Sequence, residues 1–84
     1  MDLLKIPGVG KTTKQDLLDL GIQRVEDLIG KDPEELYQRE CCQKGVRIDR
    51  CQLYVYRCAA YFANHLSEKM DEEKLKWWNW KEEK

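Results

Sequence analysis

The stretch that most constrains this 84-residue chain is Ile6-Pro7-Gly8-Val9-Gly10-Lys11. Proline cannot continue a helix, and two glycines flanking one valine let the backbone reverse within a few residues. Met1 to Ile6 suffices for one short turn or helix. A second helix starts at about Lys11, where Thr12 followed by Gln15 has the form of a capping box. Leu17, Leu18 and Leu20 give that helix an apolar side, and Gly21 occupies the position of a C-terminal cap. The chain is thereby committed to two helical segments joined by a tight hairpin.

The rest of the sequence continues in helices. Val25, Leu28 and Ile29 have helical spacing, and Gly30 stops the segment. Asp32-Pro33-Glu34-Glu35 is a strong helix start: an N-cap carboxylate, proline at the first helical position, and acids where the dipole favours them. That helix runs through Leu36, Tyr37 and Cys41 and ends at Gly45. The longest helix is expected over about Ile48 to Glu68, with Ile48, Cys51, Val55, Cys58, Phe62 and Leu66 as its core stripe. Leu53, Tyr56, Ala60 and Ala63 cover much of the opposite side, so this helix belongs at the centre of a domain or at an interface. A charged stretch from Glu68 to Lys76 leads to Trp77-Trp78-Asn79-Trp80. No segment alternates as a β-strand would.

Length limits the chain to one domain, which buries only about 60 % of its unfolded surface. Lys+Arg 15 against Asp+Glu 16 leaves a net charge of −1, so the molecule as a whole does not attract polyanions, and binding to one requires a local patch. No apolar run approaches a membrane span, and Pro7 and Gly8 interrupt any signal-peptide core. A cytoplasmic location with reduced thiols is expected, and no membrane association.

The hairpin sequence resembles the helix-hairpin-helix family of DNA-binding motifs, through Ile6-Pro7-Gly8-Val9-Gly10-Lys11 and the downstream Leu17-Leu18. The resemblance implies that hairpin amides hold a DNA backbone phosphate without reading sequence. By position the contacts are Gly8, Val9, Gly10, Lys11 and Thr12, with Lys14 adding charge. Two departures stand out: Lys14 occupies a position that is usually small in the family, and the first helix is truncated. Asp19-Leu20-Gly21-Ile22 to Leu28, then Asp32-Pro33-Glu34-Glu35-Leu36-Tyr37, looks like the second pair of a tandem helix-hairpin-helix fold. Asp49 to Ala59 and Leu75-Lys76-Trp77-Trp78-Asn79-Trp80 resemble small bacterial helix-hairpin-helix proteins labelled pathogenicity-locus or mitomycin-resistance-like, over nearly the whole chain.

Arg47, Arg50, Tyr54, Arg57 and Tyr61 would fall within an arc of roughly 80° on one helix. Five basic and two acidic residues between Arg39 and Ala63 give this segment a local excess of three positives. It is either a second nucleic-acid face, with Tyr stacking on an unpaired base, or a set of side chains packed on a neighbour and paired with acids of the first half. The cysteines have no zinc-site spacing; Cys51 and Cys58 read as small core residues, and no metal or cofactor is expected. The tryptophans either cap the core or anchor a partner. His65, the sole histidine, has no nucleophile at an interpretable spacing, and Gly8-Val9-Gly10-Lys11-Thr12 is too short for a nucleotide-binding Walker loop, so no enzyme is expected.

The expected fold is all-α: a compact bundle of about five short helices built on tandem helix-hairpin-helix-like (SAM-like) pairs, with the long helix inside residues 1–69. Residues 70–84 form a Trp-rich segment packed on the same domain. The expected function is sequence-independent DNA binding through the hairpin, with a protein–protein interaction module built on the long helix and the Trp-rich end as the alternative. The oligomeric state is left open.

Overall fold

In the computed structural model, which describes residues 1–80, the glycines and prolines singled out above divide the chain into helical pieces. Three are α-helices: α1 (Lys11–Asp19), α2 (Pro33–Lys44) and α3 (Cys51–Asn64). Four are single 3-10 turns, at Leu3–Lys5, Val25–Leu28, Glu72–Leu75 and Trp77–Trp80. Among the described residues there is no strand, and no helix is long and apolar enough to cross a membrane.

Local signals account for most boundaries. Gly21 has φ +90°, and its N–H reaches Leu18 O while that of Ile22 reaches Leu17 O, a complete Schellman ending. Leu17 and Ile22, both buried, supply the apolar contact that accompanies this motif. Asp32 caps α2 by accepting from Glu34 N at 3.0 Å, and Gly45 closes it in the left-handed conformation. The Thr12–Gln15 capping box does not form: α1 begins two residues earlier than such a box requires, with Gly10 as its N-cap.

α3 is the axis of the molecule, flanked by α2, the Val25 turn and both C-terminal turns. It is shorter than its apolar pattern suggests. The Asp49 carboxylate accepts from Cys51 N at 2.8 Å and fixes the start there, so Ile48 precedes the helix and Leu66 follows it. The core side is wider than the expected stripe. Leu53, Val55, Tyr56, Ala59 and Ala63 join the main core and Cys58 is fully buried, whereas Cys51 is exposed and Phe62 half-buried. The cause is tertiary: α3 is apolar most of the way round, and neighbours on more than one side decide which residues are covered. The main core comprises Leu3, Ile6, Val9, Leu17, Leu20, Ile22, Val25, Leu28, Leu36 and Tyr37 together with that side of α3. Ile29, expected to share the apolar side of its segment, is 53 % exposed, because a 3-10 turn brings Val25 and Leu28 inward and leaves the next residue outside.

Candidate functional site

The segment from Ile6 to Val9 is a type II β-turn. Val9 N donates to Ile6 O at 3.1 Å, Pro7 takes the first central position, and Gly8, at φ +87°, takes the second, which requires positive φ. Ile6 and Val9 are buried and pin the turn to the core, while Gly8 and Gly10 stay exposed. Gly10 then opens α1 without a side-chain cap. The N–H groups of Lys11, Thr12 and Thr13 lie in a first helical turn, where no intrahelical acceptor exists. Lys11 and Thr12 are exposed. Lys14 is half-buried and turned toward the preceding turn, its Nζ 3.3 Å from the Asp2 carboxylate. The Leu4 N–H, and after it Lys14, holds the Asp2 carboxyl below its usual range. Lys14 is thus an ion-pair partner across the hairpin.

The second loop of similar shape, Gly30-Lys31-Asp32, differs in one respect that matters electrostatically. Asp32 itself fills the N-terminus of α2, and Glu34 and Glu35 add negative charge in the first turn. A helix end supplied with its own carboxylates repels an external anion; one opened by a glycine leaves its amides to whatever approaches.

The C-terminal segment reaches the first hairpin. A Cβ built on Gly8 would lie 2.9 Å from Trp77 Cδ1, so the indole rests against the glycine with no room for a side chain. Behind this contact the buried Cys58 Sγ lies 3.9 Å from Pro7 O and 3.6 Å from Lys74 O. Burial pushes the Cys58 thiol up to about 11. The segment is tied down by Trp80 Nε1 to Lys74 O at 2.7 Å, Asp71 N to Tyr61 Oη at 3.0 Å, and Arg57 Nη1 to Trp80 O at 2.7 Å. Trp78 meets Trp77 edge-on, ring centroids 5.8 Å apart, and is 52 % exposed. Residues 81–84 of the expected 70–84 segment lie outside the described residues.

The expected Arg/Tyr face is divided. Arg47 lies in the loop before α3, because the helix begins only at Cys51, and it is exposed. Together with Arg50 it borders a shallow cleft against Tyr37 and Cys41. Arg57 is directed elsewhere: Nε and Nη2 donate to Glu34 Oε1 at 3.1 and 2.5 Å, and its guanidinium stands 5.8 Å from the Tyr54 ring centre. Pairing with an acid of the first half therefore accounts for Arg57. Tyr61 stacks on His65 with centroids 4.2 Å apart.

Sequence reasoning missed a polar cluster between α1, α2 and α3. Glu40, 1 % exposed, accepts from Tyr56 Oη at 2.5 Å and from Lys44 Nζ at 2.7 Å. Gln52 Nε2 bridges it to Asp16, lying 2.8 Å from Asp16 Oδ2 and 3.1 Å from Glu40 Oε1. Lys44 completes the ring at 2.8 Å from Asp16 Oδ1, and these two carboxylates, Asp16 first, hold its ammonium above the ordinary lysine range. Burial, then Glu40, raises the Tyr56 hydroxyl. One signal was available: Glu40 follows the buried Leu36 and Tyr37 by four and three residues, on the same side of α2. Among the described residues, no group of three or more His, Cys, Asp or Glu is placed to hold a metal ion.

A protein-family model described as Cdd1, pathogenicity locus, matches residues 1–84. No curated protein and no solved structure matches the chain.

Proposed function

The chain belongs to the Cdd1 pathogenicity-locus family, whose description names neither ligand nor reaction, and we propose that it is a DNA-binding module that grips backbone phosphate at the Pro7–Lys11 hairpin. The carrying observation is the exposed, glycine-opened N-terminus of α1 immediately after a type II turn. Its amides and dipole favour a phosphate oxygen, and Lys11 adds the charge. The Leu3 turn, the hairpin and α1 then serve as one helix-hairpin-helix unit, and the Val25 turn, the Gly30 loop and α2 as a second. Asp32, Glu34 and Glu35 leave only the first suited to an anion. Thr12 offers a hydroxyl beside the amides, and Lys14 steadies the turn through Asp2. The interaction-module alternative draws less support, because α3 is flanked by the chain's own elements.

The test is anisotropy of labelled duplex DNA at low salt with wild type and Gly10→Asp. Nothing lies within 4 Å of a Cβ at Gly10, so aspartate fits there, and its carboxylate would occupy the amides that the phosphate needs. Weak wild-type binding with a salt slope of about −1 to −3, abolished by Gly10→Asp, is the expected result. Equal binding by both proteins refutes the proposal.

A further inference from the structure

The hairpin does not stand alone on its surface: Gly8 touches Trp77, and Trp77 touches Trp78. Trp77 is half-buried and explained by packing, since it lies against the main core and against Gly8 of the turn. Trp78 is not explained that way. It is the one tryptophan more than half exposed, at 52 %, and it is carried on a 3-10 turn that hydrogen bonds hold in place at Lys74, Asn79 and Trp80. Its indole meets Trp77 nearly at right angles, 86°, so the two rings do not stack on one another. A large exposed aromatic costs solubility, yet this one stands on a supported turn, one ring removed from Gly8 of the hairpin.

We propose that Trp78 is a stacking platform for an unpaired base, so that the preferred ligand is DNA in which duplex passes into single strand. This rests on the hairpin's grip on phosphate proposed above and names the DNA structure that the grip serves. A nucleotide is an anion joined to a flat apolar ring. The hairpin that precedes the uncapped helix end, and an exposed indole linked to its Gly8 through one intervening ring, offer partners for those two parts. Bases inside a duplex are stacked on each other and present no free face to Trp78, whereas a base in a tail or at a junction does. Stacking on an aromatic side chain is tolerant of base identity, so the preference follows DNA structure and not sequence.

The experiment compares three labelled ligands against the full chain at low salt: a blunt duplex, the same duplex with a short single-stranded tail on either strand, and the same tail built from abasic sites. The abasic tail keeps the added phosphates and removes the rings. The tailed duplex is expected to bind about 5- to 100-fold more tightly than the blunt one, and the abasic tail to lose most of that gain. Trp78→Ala brings tailed affinity down to that of the blunt duplex, and Trp78→Phe restores part of the difference. Thermal melting of both variants checks that the fold persists. No gain from the tail, an equal gain from the abasic tail, or a gain that survives Trp78→Ala overturns the stacking role. The phosphate grip still stands in those cases if Gly10→Asp abolishes duplex binding. Absence of binding to all three ligands by the wild type overturns both.

Discussion

The Tyr56 hydroxyl donates to the Glu40 carboxylate at 2.5 Å in the interior of the molecule. Glu40 is also held by Lys44 and Gln52, and no buried side-chain nitrogen or oxygen among the described residues lacks a partner. Tyr56→Phe removes one charge-assisted bond from a carboxylate that keeps its others, at a cost of about 1.5–3 kcal/mol. Glu40→Ala leaves the Tyr56 hydroxyl and Gln52 facing a void and should cost more, about 3–5 kcal/mol. In a domain this size each kcal/mol lowers Tm by about 4–8 °C, so thermal melting ranks the two variants. The reverse order would show that Glu40 is not the hub of the cluster.

Gly8 and Trp77 should fail together. Gly8→Ala places a methyl 2.9 Å from the indole at a φ of +87°, and the two penalties amount to about 1–3 kcal/mol. Trp77→Ala removes the collision but not the backbone strain. The double variant is therefore less destabilised than the sum of the singles, by at least about 0.5 kcal/mol. Additivity in urea denaturation would mean that the ring does not rest on the glycine.

Gly10→Asp should leave stability unchanged or raise it by a few tenths of a kcal/mol, since aspartate is a better N-cap than glycine. The backbone there, at φ −101°, suits any residue. A loss of DNA binding with an undiminished Tm separates an occupied phosphate site from a damaged fold. A large fall in Tm would contradict the cap geometry.

Cys58 gives the fold an alkaline limit. Burial lifts its thiol from 9.0 to about 11, so between those values the unfolded chain loses a proton that the folded chain keeps. Stability is complete below the unfolded value and falls as pH rises toward the folded one, by roughly 3 kcal/mol in all. Denaturation followed across that window should show a slope that Cys58→Ala reduces. At neutral pH the exposed Cys42 should alkylate readily and Cys58 only on unfolding; comparable rates would show the thiol to be accessible.

The elements that could be read from sequence are those fixed within a few residues. Pro7-Gly8, Gly21 and Asp32-Pro33 each carry their own geometry, so the hairpin, the Schellman ending and the start of α2 could be placed without knowing the fold. The register of α3 could not: its apolar residues lie on too many sides, and α2, the Val25 turn and the C-terminal turns decide which are covered. The Arg/Tyr arc assumed a helix from Arg47 onward, whereas Asp49 delays the start to Cys51. Glutamate is rarely buried, so the residue type of Glu40 argues against an interior position, although its spacing from Leu36 and Tyr37 marks the side it faces. The contact of Trp77 on Gly8 joins residues far apart in sequence and has no local signature at all.

That contact also has a consequence in time. Ribosomes deliver residues in order, and the chain's compact elements can begin to form as they emerge. Gly8 emerges well before Trp77, the ring that rests against it. Until Trp77 follows, the nascent chain carries the turn with one side bare.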